Sequence, residues 1–298
     1  VVRSERPVVL SDDVVPFRDE PFAEIVTRVG VGPMHSLPAG GAILDRAVRP
    51  GGEAGTVALL NSLGTTLELW DDVVARLRES FDIVRFDQRG HGRAPLGDGV
   101  AGIDVLVDDF LAVLDRCDIE RVHLAGVSIG GMIAIRAAVR APERVSSLTV
   151  LCSAAVYQPQ GWIERAQSVR RDGLESIVPF VMDRWFTTEF RRRRPGIVGA
   201  YADMLRSIDP EAYAVGCDVL AAADIRRDLS KVAAPTVVVG GAQDIATPPD
   251  EQRFIARSIP GARLEILSGV GHLAPAAAPA EVARIVAANA LGGSPGSG

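Results

Sequence analysis

The sequence predicts an α/β fold: a mostly parallel central sheet with helices on both faces and an inserted helical cap. Three observations predict it. Short apolar runs alternate with stretches of helical periodicity, a pattern that needs crossover connections between parallel strands. The alternation stops over residues 153–232, where the chain reads as helices only, with Tyr157, Trp162, Phe180, Trp185, Phe186, Phe190 and many arginines. Finally, Arg121 to Ala141 (RVHLAGVSIGGMIAIRAAVRA) reads as a buried strand carrying Val122, Leu124 and Val127, then a glycine-flanked Ser128, then a helix opening at Ile129.

Taken in order, residues 1–32 are rich in Pro, Asp, Glu and Arg and are expected to form an N-terminal extension. Met34 to Val48 reads as two extended segments around the turn Pro38-Ala39-Gly40-Gly41. Thr56 to Leu60 is a buried strand that runs into the loop Asn61-Ser62-Leu63-Gly64. Apolar residues at Leu67, Leu69, Trp70, Val73, Val74 and Leu77 predict one amphipathic helix. Phe81 to Phe86 is a strand leading into Asp87-Gln88-Arg89-Gly90-His91-Gly92-Arg93, and Ile103 to Leu114 repeats the helical period. Beyond the Ser128 segment, strands are expected at Val145 to Leu151, Pro235 to Gly240 and Arg263 to Leu267. Helices are expected at Pro249 to Ile259 and Pro279 to Leu291. The core therefore comprises 33–152 and 233–291, the cap 153–232, and a flexible tail 292–298 of linker composition. No internal repeat is visible.

A chain of 298 residues with 47% apolar content can bury a large core. The net charge of −6 argues against nucleic acid as a partner, despite the local run Arg191-Arg192-Arg193-Arg194. That run reads as a solvated face that could also steer anions toward the cap. Cys117, Cys152 and Cys217 are an odd set without CxxC spacing, so neither a disulfide framework nor a zinc site is indicated. No apolar run is long enough to span a membrane, and no charged-then-apolar leader opens the chain. The chain begins at Val1 rather than Met, as it would if an upstream piece had been removed. These features point to a soluble cytoplasmic protein.

Gly126-Val127-Ser128-Ile129-Gly130 fits a strand–turn–helix elbow in which the turn forces strained dihedrals on the serine and the glycines make room for it. Ser128 is thereby held at a helix N-terminus, where free N–H groups favour negative charge. A serine hydroxyl needs a base to become a nucleophile at neutral pH, and the base usually needs an acid to orient it. Of the four histidines, His123 lies on the elbow strand itself and points off a face, while His35 and His91 precede the serine. His272, in the loop after the last strand, follows both the serine and a loop carboxylate at Asp244. Asp218, Asp224 and Asp228 fall in the cap and are weaker candidates for the acid. An oxyanion hole would use the Ile129 N–H and one from the loop after Thr56 to Leu60, of which the Leu63 N–H is favoured. Loss of one such donor typically costs ~10²–10³ in rate.

From Met34 to Leu291 the chain resembles the α/β-hydrolase superfamily, and within it the 3-oxoadipate enol-lactonases. The resemblance rests on Leu60 to Trp70 (LNSLGTTLELW), Phe86 to Arg93 (FDQRGHGR), Gly126 to Gly131 (GVSIGG) and Ala141 to Leu148 (APERVSSL). It extends to Gly161 to Arg165 (GWIER), Arg184 to Thr187 (RWFT), Pro235 to Pro249 (PTVVVGGAQDIATPP) and Gly271-His272. The resemblance implies Ser128 as nucleophile, Asp244 as orienting acid, His272 as base, no cofactor and no metal. It also implies a small acidic enol-lactone as substrate and a place in aromatic catabolism. For the substrate carboxylate Arg165 beside Trp162 is the first choice, against a plain solvated position; Trp162 and Trp185 read equally as cap core or pocket wall. Three other readings use the same residues: a carboxylic ester or C–C bond hydrolase, a triad-bearing hormone receptor with almost no turnover, and a lyase.

Overall fold

The computed structural model describes residues 44–47, 54–98 and 102–292, with only the backbone described for 44–47. The expected extension, the turn at Pro38 to Gly41, His35 and the last six residues of the tail lie outside the described residues.

Seven strands form one sheet: β1 (Leu44–Ala47), β2 (Thr56–Leu60), β3 (Asp82–Phe86), β4 (Val122–Val127), β5 (Val145–Leu151), β6 (Thr236–Gly241) and β7 (Arg263–Leu267). Their spatial order is β1-β3-β2-β4-β5-β6-β7. Six are parallel to one another, and β1 closes one edge antiparallel to β3. The central strands are buried on both faces, which is why they read as continuous apolar runs rather than as alternating ones. The helices that cover them are α1 (Asp71–Leu77), α2 (Ile103–Arg116), α3 (Ile129–Arg140), α9 (Pro249–Ser258), α10 (Ala274–Ala277) and α11 (Pro279–Ala290). Between β5 and β6 lie α4 (Pro159–Asp172), α5 (Val178–Trp185), α6 (Thr188–Arg193), α7 (Pro195–Arg206) and α8 (Pro210–Ala222). Among the described residues no helix is long and apolar enough to cross a membrane.

Two expectations need correction. The single helix over Leu67 to Leu77 is a 3-10 turn, Leu67–Trp70, followed by α1. Trp70 stands between them at φ −99°, ψ 0°, and side chains from β3 and the loop after it hold the turn. Asp87 Oδ1 accepts from the Leu67 N–H at 2.8 Å, and Arg85 donates to the Leu67 carbonyl at 2.9 Å. Nor is the insertion purely helical. Its two ends meet in an isolated antiparallel bridge, Val156 with Asp224, beside an Ile225 N–H to Ala155 carbonyl bond of 2.9 Å. The chain must leave and re-enter the sheet side by side, and pairing the two passes satisfies backbone groups that burial would otherwise strand.

The strand-to-helix turn at Ser128 depends on close backbone approach. A Cβ at Gly126 would lie 2.2 Å from the Gly130 carbonyl oxygen, and one at Gly130 would lie 2.5 Å from that of Leu60 and 2.6 Å from that of Asn61. Those neighbours are backbone, so they can yield only if β2 or α3 shifts. Gly130→Ala is therefore expected to destabilise the fold by about 1–3 kcal/mol or more, read as a lowered urea midpoint at unchanged slope.

Candidate active site

Ser128 follows β4 directly and opens α3, with φ 59° and ψ −120°, in the region where a side chain is strained. Its N–H bonds to the Leu151 carbonyl at 2.9 Å, and its own carbonyl accepts from Ser153 Oγ at 2.7 Å. The turn is thus tied to the end of β5. Ile129 is the first helical residue, so its N–H has no acceptor within the helix.

Asp244 lies in the loop after β6 and His272 in the loop after β7. His272 Nδ1 is 2.9 Å from Asp244 Oδ2, and both side chains are buried. The rest of the carboxylate is saturated: Oδ1 accepts from the N–H groups of Ala246 at 2.8 Å and Thr247 at 2.9 Å, and Oδ2 from Thr247 Oγ1 at 2.7 Å. Burial pushes the Asp244 carboxyl up, but the His272 ring, then the Thr247 N–H and hydroxyl, outweigh it and hold the group below its ordinary value. Ser128 and His272 line the same cleft, of about 420 Å³ including its open mouth. Of the three side chains named from chain order, His272 pairs with Asp244, and His272 and Ser128 line one cleft.

Leu63 also lines the cleft, and its loop is fixed by buried polar contacts. Asn61 donates to the Phe86 carbonyl at 2.8 Å and accepts from Trp70 Nε1 at 3.0 Å, while Gln88 donates to the Asn61 carbonyl at 2.8 Å. The Gly64 N–H donates to His91 Nε2 at 3.0 Å, so the other ring nitrogen carries the proton and faces the Arg89 carbonyl at 3.1 Å. His91 thus holds the loop beside Ser128 although its place in the chain rules it out as the base.

Of the three side chains named for substrate contact, Arg165, Trp162 and Trp185 all line the cleft. The Arg165 guanidinium lies 4.2 Å from the Trp162 ring centroid and 4.8 Å from that of Phe180. Trp185 is both core and wall: its ring is buried against Tyr201, and its carbonyl accepts from the His272 and Leu273 N–H groups at 3.0 and 3.2 Å. The arginine run stands apart from the cleft, with Arg192 and Arg193 paired to Glu189 and Arg191 to Asp183. The cleft also takes in Tyr157, Arg184, Tyr213 and Thr247, which sequence reasoning passed over. Arg184 belongs to the quoted RWFT stretch, and Thr247 stands three residues after Asp244, a spacing that fits an Asx-type turn. Nothing in the sequence marks Tyr157. Arg184 lies 5.2 Å from the Phe180 ring centroid and donates to the Ile245 carbonyl at 3.1 Å. Burial first, then the Arg165 charge, pulls its pKa down. Among the described residues neither Arg165 nor Arg184 has a carboxylate within ion-pair distance, and no group of His, Cys, Asp and Glu is placed to hold a metal ion.

The family model described as "alpha/beta hydrolase fold" matches residues 55–278, and the chain belongs to that family. It is 36% identical over 219 residues to 3-oxoadipate enol-lactonase 2 of Acinetobacter baylyi, spanning 72% of this chain and 82% of that protein. It is also 29% identical over 227 residues to a pimeloyl-[acyl-carrier protein] methyl ester esterase of Neisseria meningitidis, spanning 72% of this chain and 86% of that protein. Among solved structures, the enol-lactonase from Burkholderia xenovorans LB400 superposes with a TM-score of 0.78 at 30% identity, covering 84% of this chain and 95% of that one. The chain is an α/β-hydrolase of the ester and lactone hydrolase class.

Two buried groups near Ser128 respond to pH in opposite senses. Burial pushes His91 down from 6.5 to about 4, so from pH 6.5 to about 4 the unfolded chain takes up a proton that the folded chain refuses. Stability on this account falls as pH falls, by about 3 kcal/mol. Burial pushes Asp87 up from 3.8 to about 6, against bonds from the Leu67 and Arg93 N–H groups. The folded chain is then the one that binds a proton between about pH 6 and 3.8, and stability rises as pH falls. The two nearly cancel. His91→Gln is expected to gain about 3 kcal/mol relative to the parent between pH 7 and 4, and Asp87→Asn to lose a similar amount. Urea midpoints at the two pH values measure both.

Proposed function

We propose that the protein opens a small acidic enol-lactone through an acyl-enzyme on Ser128. The observation that carries this reading is the shared cleft: the serine and the His272–Asp244 pair at its base, two arginines without carboxylate partners at its wall. In the proposed reaction Ser128 Oγ attacks the ring carbonyl as His272 Nε2 takes its proton. The Asp244 carboxylate, held ionised by its donors, stabilises the imidazolium and fixes its orientation. The Leu63 and Ile129 N–H groups take the oxyanion. Collapse breaks the ring C–O bond, the proton on His272 passes to the leaving oxygen, and the enol becomes a ketone. Water deprotonated by His272 then cleaves the acyl-enzyme to the acid.

The acidic substrate is argued from Arg165 and Arg184. Two like charges that both pack on the Phe180 ring repel one another, and an entering carboxylate converts that repulsion into charge-assisted hydrogen bonds. The substrate class is further supported by likeness to enol-lactonases from two organisms. The second reading, a carboxylic ester hydrolase, is favoured by the likeness to the methyl ester esterase. We place the reaction in the cytoplasm and in aromatic catabolism; three buried cysteines outside any disulfide, Cys117, Cys152 and Cys217, suit a reducing compartment.

Ser128→Ala is expected to lower hydrolysis of both the lactone and aryl acetates by about 10⁴-fold or more; an unchanged rate would remove the serine mechanism. Arg165→Ala and Arg184→Ala are each expected to raise KM for 3-oxoadipate enol-lactone about tenfold or more while changing turnover of neutral aryl acetates less than about threefold. An ultraviolet lactone assay beside a simple ester assay measures both. Equal effects on the two substrates would favour the ester hydrolase.

A further inference from the structure

The loop that leaves β5 carries a side chain the triad does not use. Tyr157 lines the cleft together with Ser128 and His272. Its ring is seated edge-on against Trp162, centroids 5.4 Å apart at 79°. Its phenol oxygen is sequestered from solvent, makes no hydrogen bond of standard geometry among the described residues, and lies close enough to the Ser128 side chain to interact with it. An orphaned buried hydroxyl in a native fold costs about 1–3 kcal/mol and calls for a reason. Burial pushes the phenol well above its ordinary value, with the adjacent Ser128 hydroxyl pulling the other way, so the group stays protonated and is a donor at neutral pH.

Topology says which reacting atom it can serve. In the sheet β4, whose end carries Ser128, lies between β2 and β5. The loop after β2 brings Leu63 to one flank of the serine. Tyr157 follows β5 and reaches the serine from the opposite flank, where Ser153 also bonds to the Ser128 carbonyl. A scissile carbon attacked by Oγ carries two other oxygens of interest. The carbonyl oxygen turns toward the backbone donors on the β2 flank, which leaves the second oxygen on the β5 flank.

Resting on the serine reading above, we infer that Tyr157 is a further catalytic residue, whose phenol donates a hydrogen bond to the leaving oxygen as the acyl C–O bond breaks. The electron pair of that bond moves onto the leaving oxygen, the proton from Ser128 still arrives through His272, and Tyr157 keeps its own. For an enol-lactone the stabilised charge is the one that develops on the enol oxygen before the His272 proton arrives and the enol becomes the ketone. The donor therefore acts in acylation and not in deacylation, when the leaving oxygen has gone.

The test is Tyr157→Phe on an acetate series running from 4-nitrophenyl to an alkyl ester. A bond to a developing charge is worth about tenfold to a hundredfold. The kcat/KM for the alkyl ester is expected to fall about tenfold or more, that for 4-nitrophenyl acetate less than about threefold, so the dependence on leaving-group basicity steepens. The deacylation rate constant from burst kinetics should be unchanged, and the melting temperature equal to or above that of the parent. A uniform loss across the series, a slowed deacylation, or no loss at the basic end would each overturn the assignment. Ser128→Ala, run in parallel, separates the two failures: activity retained there removes the serine reading, whereas its loss with a flat Tyr157→Phe series removes only the tyrosine.

Discussion

The site depends on two backbones coming closer than a methyl group would permit. Where α3 starts, Gly130 lies against the carbonyls of Leu60 and Asn61, so the end of β2 and the turn after β4 are pressed together. That contact places the loop bearing Leu63 beside Ser128 without any side chain reaching across. The buried contacts of Asn61, Trp70, Gln88 and His91 then keep the loop from relaxing into the space it would otherwise have. In the proposed mechanism the oxyanion donors are main-chain groups, so their placement is a property of this crossing rather than of any replaceable residue.

In the proposed reading most of the reacting groups come from one part of the chain and the recognition groups from another. Ser128, Asp244, Thr247 and His272 stand on the ends of sheet strands or the loops just beyond, where all four are buried and Asp244 is bonded to both Thr247 and His272. Trp162, Arg165, Arg184 and Tyr213 come from the inserted helices. In the proposed reading the sheet supplies the serine, the base and the acid, and the insertion supplies the side chains that bind substrate together with the Tyr157 phenol.

The sheet was legible because its central strands are buried on both faces: TVALL, VSSLTVL and PTVVVGG can scarcely be anything else between turn residues. The stretch from Leu67 to Leu77 was less so, since apolar spacing alone does not separate a 3-10 turn from an α-helix; the difference lies in bonds from Arg85 and Asp87. At the site, chain order was enough to single out Ser128, Asp244 and His272 for comparison. Tyr157, Arg184 and His91 were not legible in that way, because what distinguishes them is a neighbour brought in by the fold: an absent acceptor, an aromatic ring shared with a second cation, a glycine N–H far away in the chain.

The carbonyl of Trp185 ends the inserted helix α5 and receives both the His272 and Leu273 N–H groups. The insertion is therefore stitched to the very loop that carries the imidazole. A lid that swung away as one piece would drag that ring from its carboxylate. An opening of the cleft that keeps the His272–Asp244 pair intact would leave Trp185 in place. Exchange of the whole insertion between relatives, a tempting route to new selectivity, would have to carry that one carbonyl across unchanged.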